Sequence, residues 1–513
     1  MMKIWELPEG KATYILRYFL PRPPYVEKNI TALRLEELLS FCKRAKIEAV
    51  QFYVNFKPDW YYMPDTLEHA VAWAEEMQEY IPEIRKAGIS YQLNFQNLLG
   101  SITGGVDHRI DFNWEYLVDH QGNESPGCAC PLGVKFRSVM GKQLRAWAET
   151  KPDVIWIDDD FRMHNHGFGQ KGIDWYCFCP AHLEKFSSIY GRNFSREQLV
   201  KELIKLGEVR LVWLDFLNDT MCETASWVCS QIHKISPFTR IAQMTSVPDV
   251  HAVEGRNWRG FLECLSGEGY KPIIRPHFGP YTEVSPASFV NSYTMLDQTM
   301  ANIGIQVKDN VDYCPELENT RFTRWAKSRA ATGFQLILGQ LIGCRGITLS
   351  LFDLEGTPLS EEPLYEMLLA EKKVVLDRLA ELRLQEWEAR GVAMLTDPDA
   401  ARKVQVPDIQ NDSIGNLMGT GRTWDSTLLL MGVPAKYVSP SKALEDEIIV
   451  LDGLTAWLPD EGEMKKILAK GVLLDSKAAE VLEIRGYGEM IGVGVENTFQ
   501  WQSSAEEFHG SIL

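Results

Sequence analysis

What most narrows the fold of this chain is the alternation of short apolar runs with longer helical patterns over its first two thirds. Thr13 to Phe19, Glu48 to Val54, Ile89 to Phe95 and Val154 to Ile157 read as four strands. Arg240 to Thr245, Lys271 to His277, Val307 to Cys314 and Gly346 to Phe352 read as four more. Between them, helical spacing runs over Leu33 to Ala45, Phe136 to Thr150, His182 to Tyr190 and Ser195 to Ser236. Another helix, capped by Thr66, runs to Lys86 and is stopped by Gly88. Repeated strand-helix units bury their strands in a parallel sheet. Eight of them fit an α/β fold closed as a (β/α)8 TIM barrel better than an open doubly wound sheet.

The pattern changes beyond Glu361. Leu364 to Glu388 reads as one long charged helix suited to joining two domains. Gly391 to Thr396, Ser426 to Leu430 and Ile448 to Leu451 read as short strands, with helices over Glu461 to Lys470 and Ala478 to Arg485. A barrel over 1–388 followed by a smaller open, Rossmann-like α/β domain over 389–513 is therefore expected. That division suits 513 residues, more than one core usually carries. Past Val495 the sequence is polar, so a loose tail or a further domain is expected there.

A net charge of -17 argues against nucleic acid, whose phosphates need a basic face, and leaves small neutral or cationic molecules as partners. The N-terminus lacks the apolar core of a signal peptide and no run is long enough to span a bilayer, so the expected location is the cytoplasm. Ten cysteines in so long a chain are too sparse for a disulfide scaffold and are expected as thiols or metal ligands.

The chemistry concentrates at strand ends. The stretch Asp153 to Arg162 begins as a buried strand and ends in Asp158, Asp159 and Asp160, then Phe161 and Arg162. Such barrels place their chemistry at the carboxyl ends of strands, although three adjacent aspartates would also suit a surface turn or a helix cap. Strand alternation puts Asp158 and Asp160 on one face. At the seventh strand, Glu316 and Glu318 are two apart and share a face if the backbone stays extended. Two carboxyl groups facing one hollow are what glycosidic cleavage needs, one protonated to assist departure and one ionised to attack or to activate water. Arg17 and Asn94, near the ends of the first and third strands, are candidates for binding sugar hydroxyls. Trp325, Trp60, Tyr61 and Tyr62 are candidates for stacking on a sugar ring.

Cys177, Cys179 and His182 form C-x-C-x-x-H just after the acidic stretch, with Cys130 or Cys128 upstream. Four such ligands would close a tetrahedral structural zinc site with no position open for chemistry. Buried thiols beside a histidine are the plain alternative. His164 and His166, with the aspartates, are a second candidate ligand group.

These residues together resemble glycoside hydrolase family 42, the β-galactosidase-like members of the retaining barrel clan. Cys130-Pro131 followed by Phe136-Arg137 is similar to that family's C-P motif and aromatic-arginine pair. Ile157 to Asp160 resembles its V-D-N-E, which ends in the acid/base glutamate. Cys177, Cys179 and His182, then Phe186 and Tyr190-Gly191, resemble its C-x-C-x-x-C cluster and the following F and Y-G. Glu318 with Trp325 resembles its nucleophile and downstream tryptophan. Ile448 to Gly453, Leu458 to Glu463 and Gly471 to Gly494 look like its amidotransferase-like trimerisation domain, without the cysteine nucleophile of true amidotransferases.

The resemblance implies a retaining, exo-acting glycosidase, with Glu318 as nucleophile, Asp160 as acid/base, Asp159 contacting a substrate hydroxyl and Glu316 in reserve. It also implies a homotrimer, no catalytic cofactor, and a structural zinc on Cys130, Cys177, Cys179 and His182. Strand four departs from the family by carrying Asp159-Asp160 in place of Asn-Glu, an acid one methylene shorter. That must be offset by a shifted strand, a different sugar position or a water. A carbohydrate-binding relic and a metal-dependent hydrolase using His164 and His166 are the alternatives from other classes.

Overall fold

The computed structural model describes residues 4–57, 63–100, 107–158, 161–163, 176–283, 285–308, 311–319, 326–405, 417–421 and 423–495. Eight parallel strands close into a barrel: β1 (Thr13–Tyr18), β2 (Ala49–Val54), β3 (Ser90–Phe95), β4 (Val154–Ile157), β5 (Arg240–Thr245), β6 (Ile273–Phe278), β7 in two pieces (Asp312–Tyr313 and Glu316–Glu318) and β8 (Gly346–Ser350). Closure is direct. β8 pairs with β1 through Gly346 and Thr13, and the second piece of β7 pairs with both β8 and β6, through Glu316 to Thr348 and His277. The strands are largely buried on both faces because helices cover the outside and side chains fill the inside.

The interior changes character along the strands. Its lower layer is apolar, with Ile15, Ala49, Val154, Trp156, Ala242, Ile273 and Cys314 packed together. Two residues further on, the same inward face carries Arg17 after Ile15, Arg275 after Ile273, and Glu316 then Glu318 after Cys314. The period of two thus sets a charged layer on an apolar floor.

Four sequence expectations are corrected. Val307 ends the helix Pro286–Val307, and the seventh strand begins only at Asp312 and is interrupted at Cys314-Pro315, where proline has no N–H for the ladder. Glu316 and Glu318 consequently lie within the strand. The helix over Ser195 to Ser236 is two, Arg196–Ile204 and Glu208–His233. The helix beyond Glu361 runs only over Pro363–Glu381 and belongs to the barrel: Lys373 Nζ pairs with Glu48 and the Tyr14 hydroxyl donates to Leu369 O at 3.2 Å. Ser426 to Leu430 lies in a helix, Trp424–Leu430.

A second parallel sheet follows: β9 (Val392–Leu395), β10 (Ala435–Val438), β11 (Ile448–Leu451) and β12 (Gly471–Leu474), in the order β10-β9-β11-β12. It leans on the barrel helices. Arg210 Nη1 donates to Val404 O at 2.6 Å, and Asn302 Nδ2 to Thr396 Oγ1 at 2.8 Å. Among the described residues no helix is long and apolar enough to cross a membrane.

Candidate active site

Arg17 is the centre of the charged layer. Its Nη1 lies 2.6 Å from Glu316 Oε1 and 2.6 Å from Glu318 Oε2, and its Nη2 lies 2.9 Å from Asp158 Oδ2. β1, β4 and β7 each deliver one part of this knot at their carboxyl ends, so side chains some 300 positions apart meet because the sheet closes. Arg275 adds a second guanidinium, paired with Asp158 and 3.5 Å from Glu316 Oε1. Three carboxylates thus face two guanidiniums. Burying unpaired charge is strongly unfavourable, and this near-balance makes the cluster tolerable.

Neutral groups complete the shell. Asn94 Nδ2 donates to Asp158 Oδ2 at 2.8 Å while its Oδ1 accepts from Arg275 Nη1 at 2.7 Å. The Tyr281 hydroxyl donates to Glu316 Oε2 at 2.8 Å, and its ring packs on His277 at 5.0 Å between centroids. Arg17 lies over the Tyr53 ring at 5.1 Å, and the Tyr53 hydroxyl is 3.0 Å from Ser350 Oγ. Burial pushes the Glu316 carboxyl up to about 7, opposed by Arg17 and Arg275 and reinforced by Glu318 and Asp158. Burial, then Glu316 and Glu318, hold the Tyr281 phenol well above its ordinary range, so it remains a donor. Of the two glutamates, Glu318 is the more open, its side chain 12% exposed against 3% for Glu316.

The structure therefore brings together five residues singled out from sequence, Arg17, Asn94, Asp158, Glu316 and Glu318. The nitrogens of Arg17 and Asn94 described above are engaged by carboxylates. Asp159, Asp160, Trp325, His164, His166, Trp60, Tyr61 and Tyr62 lie outside the described residues. Sequence reasoning missed Arg275 and Tyr281. An arginine inside the apolar run I-I-R-P-H-F was a usable signal for the first, because an unpaired charge is not left in a strand buried on both faces. Nothing in G-P-Y-T marked the second.

A separate buried cluster gathers Cys130, Cys177, Cys179 and His182, whose candidate ligand atoms all lie within 4.8 Å of one another. Cys130 Sγ is 3.8 Å from Cys179 Sγ and 3.5 Å from His182 Nδ1, which is 3.2 Å from Cys179 Sγ. Tetrahedral zinc with ordinary bond lengths sets edges of about 3.8 Å between sulfurs and about 3.5 Å from sulfur to nitrogen, so these side chains fit such an ion. Cys128 is not in the cluster; its Sγ faces Gly100 O at 3.6 Å. Val118 N donates to Cys177 Sγ at 3.4 Å, tying the group to a hairpin of Tyr116–Val118 and Glu124–Ala129 inserted after β3.

No protein-family model and no curated protein matches the sequence. Solved structures do match in fold. A GH42 β-galactosidase from G. stearothermophilus is 12% identical with a TM-score of 0.56, over 92% of this chain and 72% of that one. A β-galactosidase from the psychrophilic Marinomonas ef1 is 11% identical with a TM-score of 0.54, over 90% and 75%. An α-L-fucosidase from Paenibacillus thiaminolyticus is 11% identical with a TM-score of 0.51, over 90% of this chain and 63% of that one. At such identities what is shared is architecture, and the chain has the fold of the GH42 β-galactosidases.

Proposed function

We propose that this protein is a retaining glycoside hydrolase that removes a terminal β-linked sugar by double displacement. The observation that carries the reading is the knot of Asp158, Glu316 and Glu318 around Arg17 at the carboxyl end of a closed barrel. Glu318 is the nucleophile in this reading: it is the glutamate nearer solvent, and its Oε2 is held 2.6 Å from Arg17 Nη1. Glu316, deeper and bonded to Tyr281, has its carboxyl raised by burial and serves as the reserve.

Asp160 is the acid/base in this reading. It follows Asp158, whose carboxylate is fixed by Arg17, Arg275 and Asn94, by two positions. Asp160 would protonate the departing oxygen while Glu318 attacks the anomeric carbon, then deprotonate the water that releases the sugar. Double displacement of this kind needs carboxyl groups about 5–5.5 Å apart. The fold relatives act on different sugars by their own descriptions, so the galactose preference of two of them is not carried over. Cys130, Cys177, Cys179 and His182 would hold a structural zinc, which when bound supplies a cross-link and no chemistry.

The test is a panel of nitrophenyl glycosides hydrolysed by the wild type, Asp160→Asn and Glu318→Gln, with product stereochemistry followed by NMR. Retention together with loss of activity in both variants supports the reading. Activity unaffected by both substitutions overturns it.

A further inference from the structure

Behind the two glutamates, Lys327 is buried, only 3% exposed, and none of its three donors goes to a carboxylate. Its ammonium donates to Pro280 O at 2.7 Å, to Glu318 O at 3.0 Å and to the side-chain oxygen of Gln335. Three acceptors use all the hydrogens of an ammonium. Gln335, buried on the helix Arg329–Leu341, then turns its own Nε2 to Phe278 O at 2.5 Å and Gly279 O at 2.6 Å. The pair therefore satisfies four backbone carbonyls, three of them consecutive where the chain leaves β6 and the fourth at the end of β7. A second set of bonds holds the same loop: Glu283 N donates to Ala326 O at 2.9 Å, and Ser328 N donates to Glu283 Oε2 at 2.8 Å.

The loop so held carries Tyr281, whose hydroxyl reaches Glu316, and the strand end so held carries Glu318. We propose that Lys327 and Gln335 are positioning residues, which lock the Tyr281 loop to the end of β7 and so set Tyr281 and Glu318 in register with Arg17. Neither touches substrate. Each acts through backbone carbonyls whose own side chains, or whose neighbours' side chains, form the site. A lysine serves here because a single atom must face three acceptors from three directions, which a planar guanidinium does not do.

The kinetic part rests on the glycosidase reading; the structural part does not. Crystal structures of the wild type and Lys327→Met are expected to show the Tyr281–Glu316 hydrogen bond kept in the first and opened beyond about 3.5 Å in the second. On a nitrophenyl glycoside, Lys327→Met is expected to lower kcat by roughly tenfold or more with KM changed by less than about threefold. Added to Gln335→Leu, it should lower kcat by less than about threefold further, because both changes release the same clamp. Should Lys327→Met fail to fold, Gln335→Leu enters the same measurements. A Tyr281–Glu316 bond intact in the variant, or factors that multiply in the double variant, overturns the proposal. A wild type silent on every glycoside removes the hydrolase reading alone, and the crystallographic comparison then decides this one.

Discussion

Arg17 Nη2 lies 2.9 Å from Asp158 Oδ2, a bond that runs from β1 to the end of β4 and exists only because the sheet closes. The same guanidinium holds Glu316 and Glu318, so its removal leaves two buried carboxylates and the half-buried Glu318 facing Arg275 alone. Arg17→Met is expected to destabilise the protein by about 3–5 kcal/mol at pH 7, the usual consequence of stripping one partner from a buried ion pair. The loss should shrink towards pH 5, where a carboxylate can take up a proton instead. Urea unfolding at both values checks this, and an unchanged midpoint at pH 7 would count against a paired cluster.

Glu316 gives the pH dependence a sign. Its carboxyl is raised by burial to about 7 from an ordinary value near 4.5. A carboxyl raised in the fold contributes stability that is fully present below the unfolded value and is lost as pH climbs through the folded one. Glu316→Gln, which imitates the protonated form, should therefore gain on the wild type between about pH 4.5 and pH 7, by up to about 3 kcal/mol. The measurement is the difference in unfolding free energy between the two proteins across that window. A difference that stays flat contradicts a raised Glu316.

Much of the barrel was legible in the sequence because its strands are short, apolar and bounded by turn residues. The expected Arg240 to Thr245 and Ile448 to Leu451 match the observed strands residue for residue. Errors fell where periodicity is ambiguous. Ser426 to Leu430 is a five-residue stretch ending in three leucines that suits a strand or a helical turn equally, and it lies within a helix. β12 was missed because Gly471–Leu474 begins in glycine and follows directly on a helix. The hairpin in the long insert gave little apolar alternation to read. At the site, strand ends were readable, since carboxylates at the end of an apolar run stand out. Their partners were not, because Arg17, Asp158 and Glu316 are joined by closure and by nothing local.

The division of labour proposed for Glu318 and Asp160 predicts different sensitivities to the leaving group. With Glu318 as nucleophile, Glu318→Gln replaces the attacking carboxylate by a neutral amide and should lower kcat/KM on every aryl glycoside by roughly a thousandfold or more. Asp160→Asn removes proton donation, a contribution of roughly 10²–10⁴-fold on a poor leaving group and much less on dinitrophenolate, which departs without a proton. Plots of rate against leaving-group pKa for both variants check the assignment. Equal slopes for the wild type and Asp160→Asn would take the acid role away from Asp160.

The cysteine cluster separates stability from chemistry. Cys130 lies just before the helix Val134–Glu149, whereas Cys177 and Cys179 precede the helix Pro180–Tyr190 that carries His182, so an ion among them would staple two distant segments of chain. His182 is further fixed edge-on against Phe216, 5.8 Å away, which keeps Nδ1 turned towards the sulfurs. Four protein ligands would leave such an ion no open coordination position, so it cannot activate water. The purified protein is thus expected to hold about one zinc per chain, and Cys179→Ser to lose it with a fall in Tm of roughly 5–10 °C. Activity per folded molecule should stay within about threefold of the wild type, because the ligands lie outside the knot around Arg17. Metal analysis alongside calorimetry and a glycoside assay checks this, and a metal-free protein with an unchanged Tm in Cys179→Ser would reduce the cluster to ordinary buried thiols.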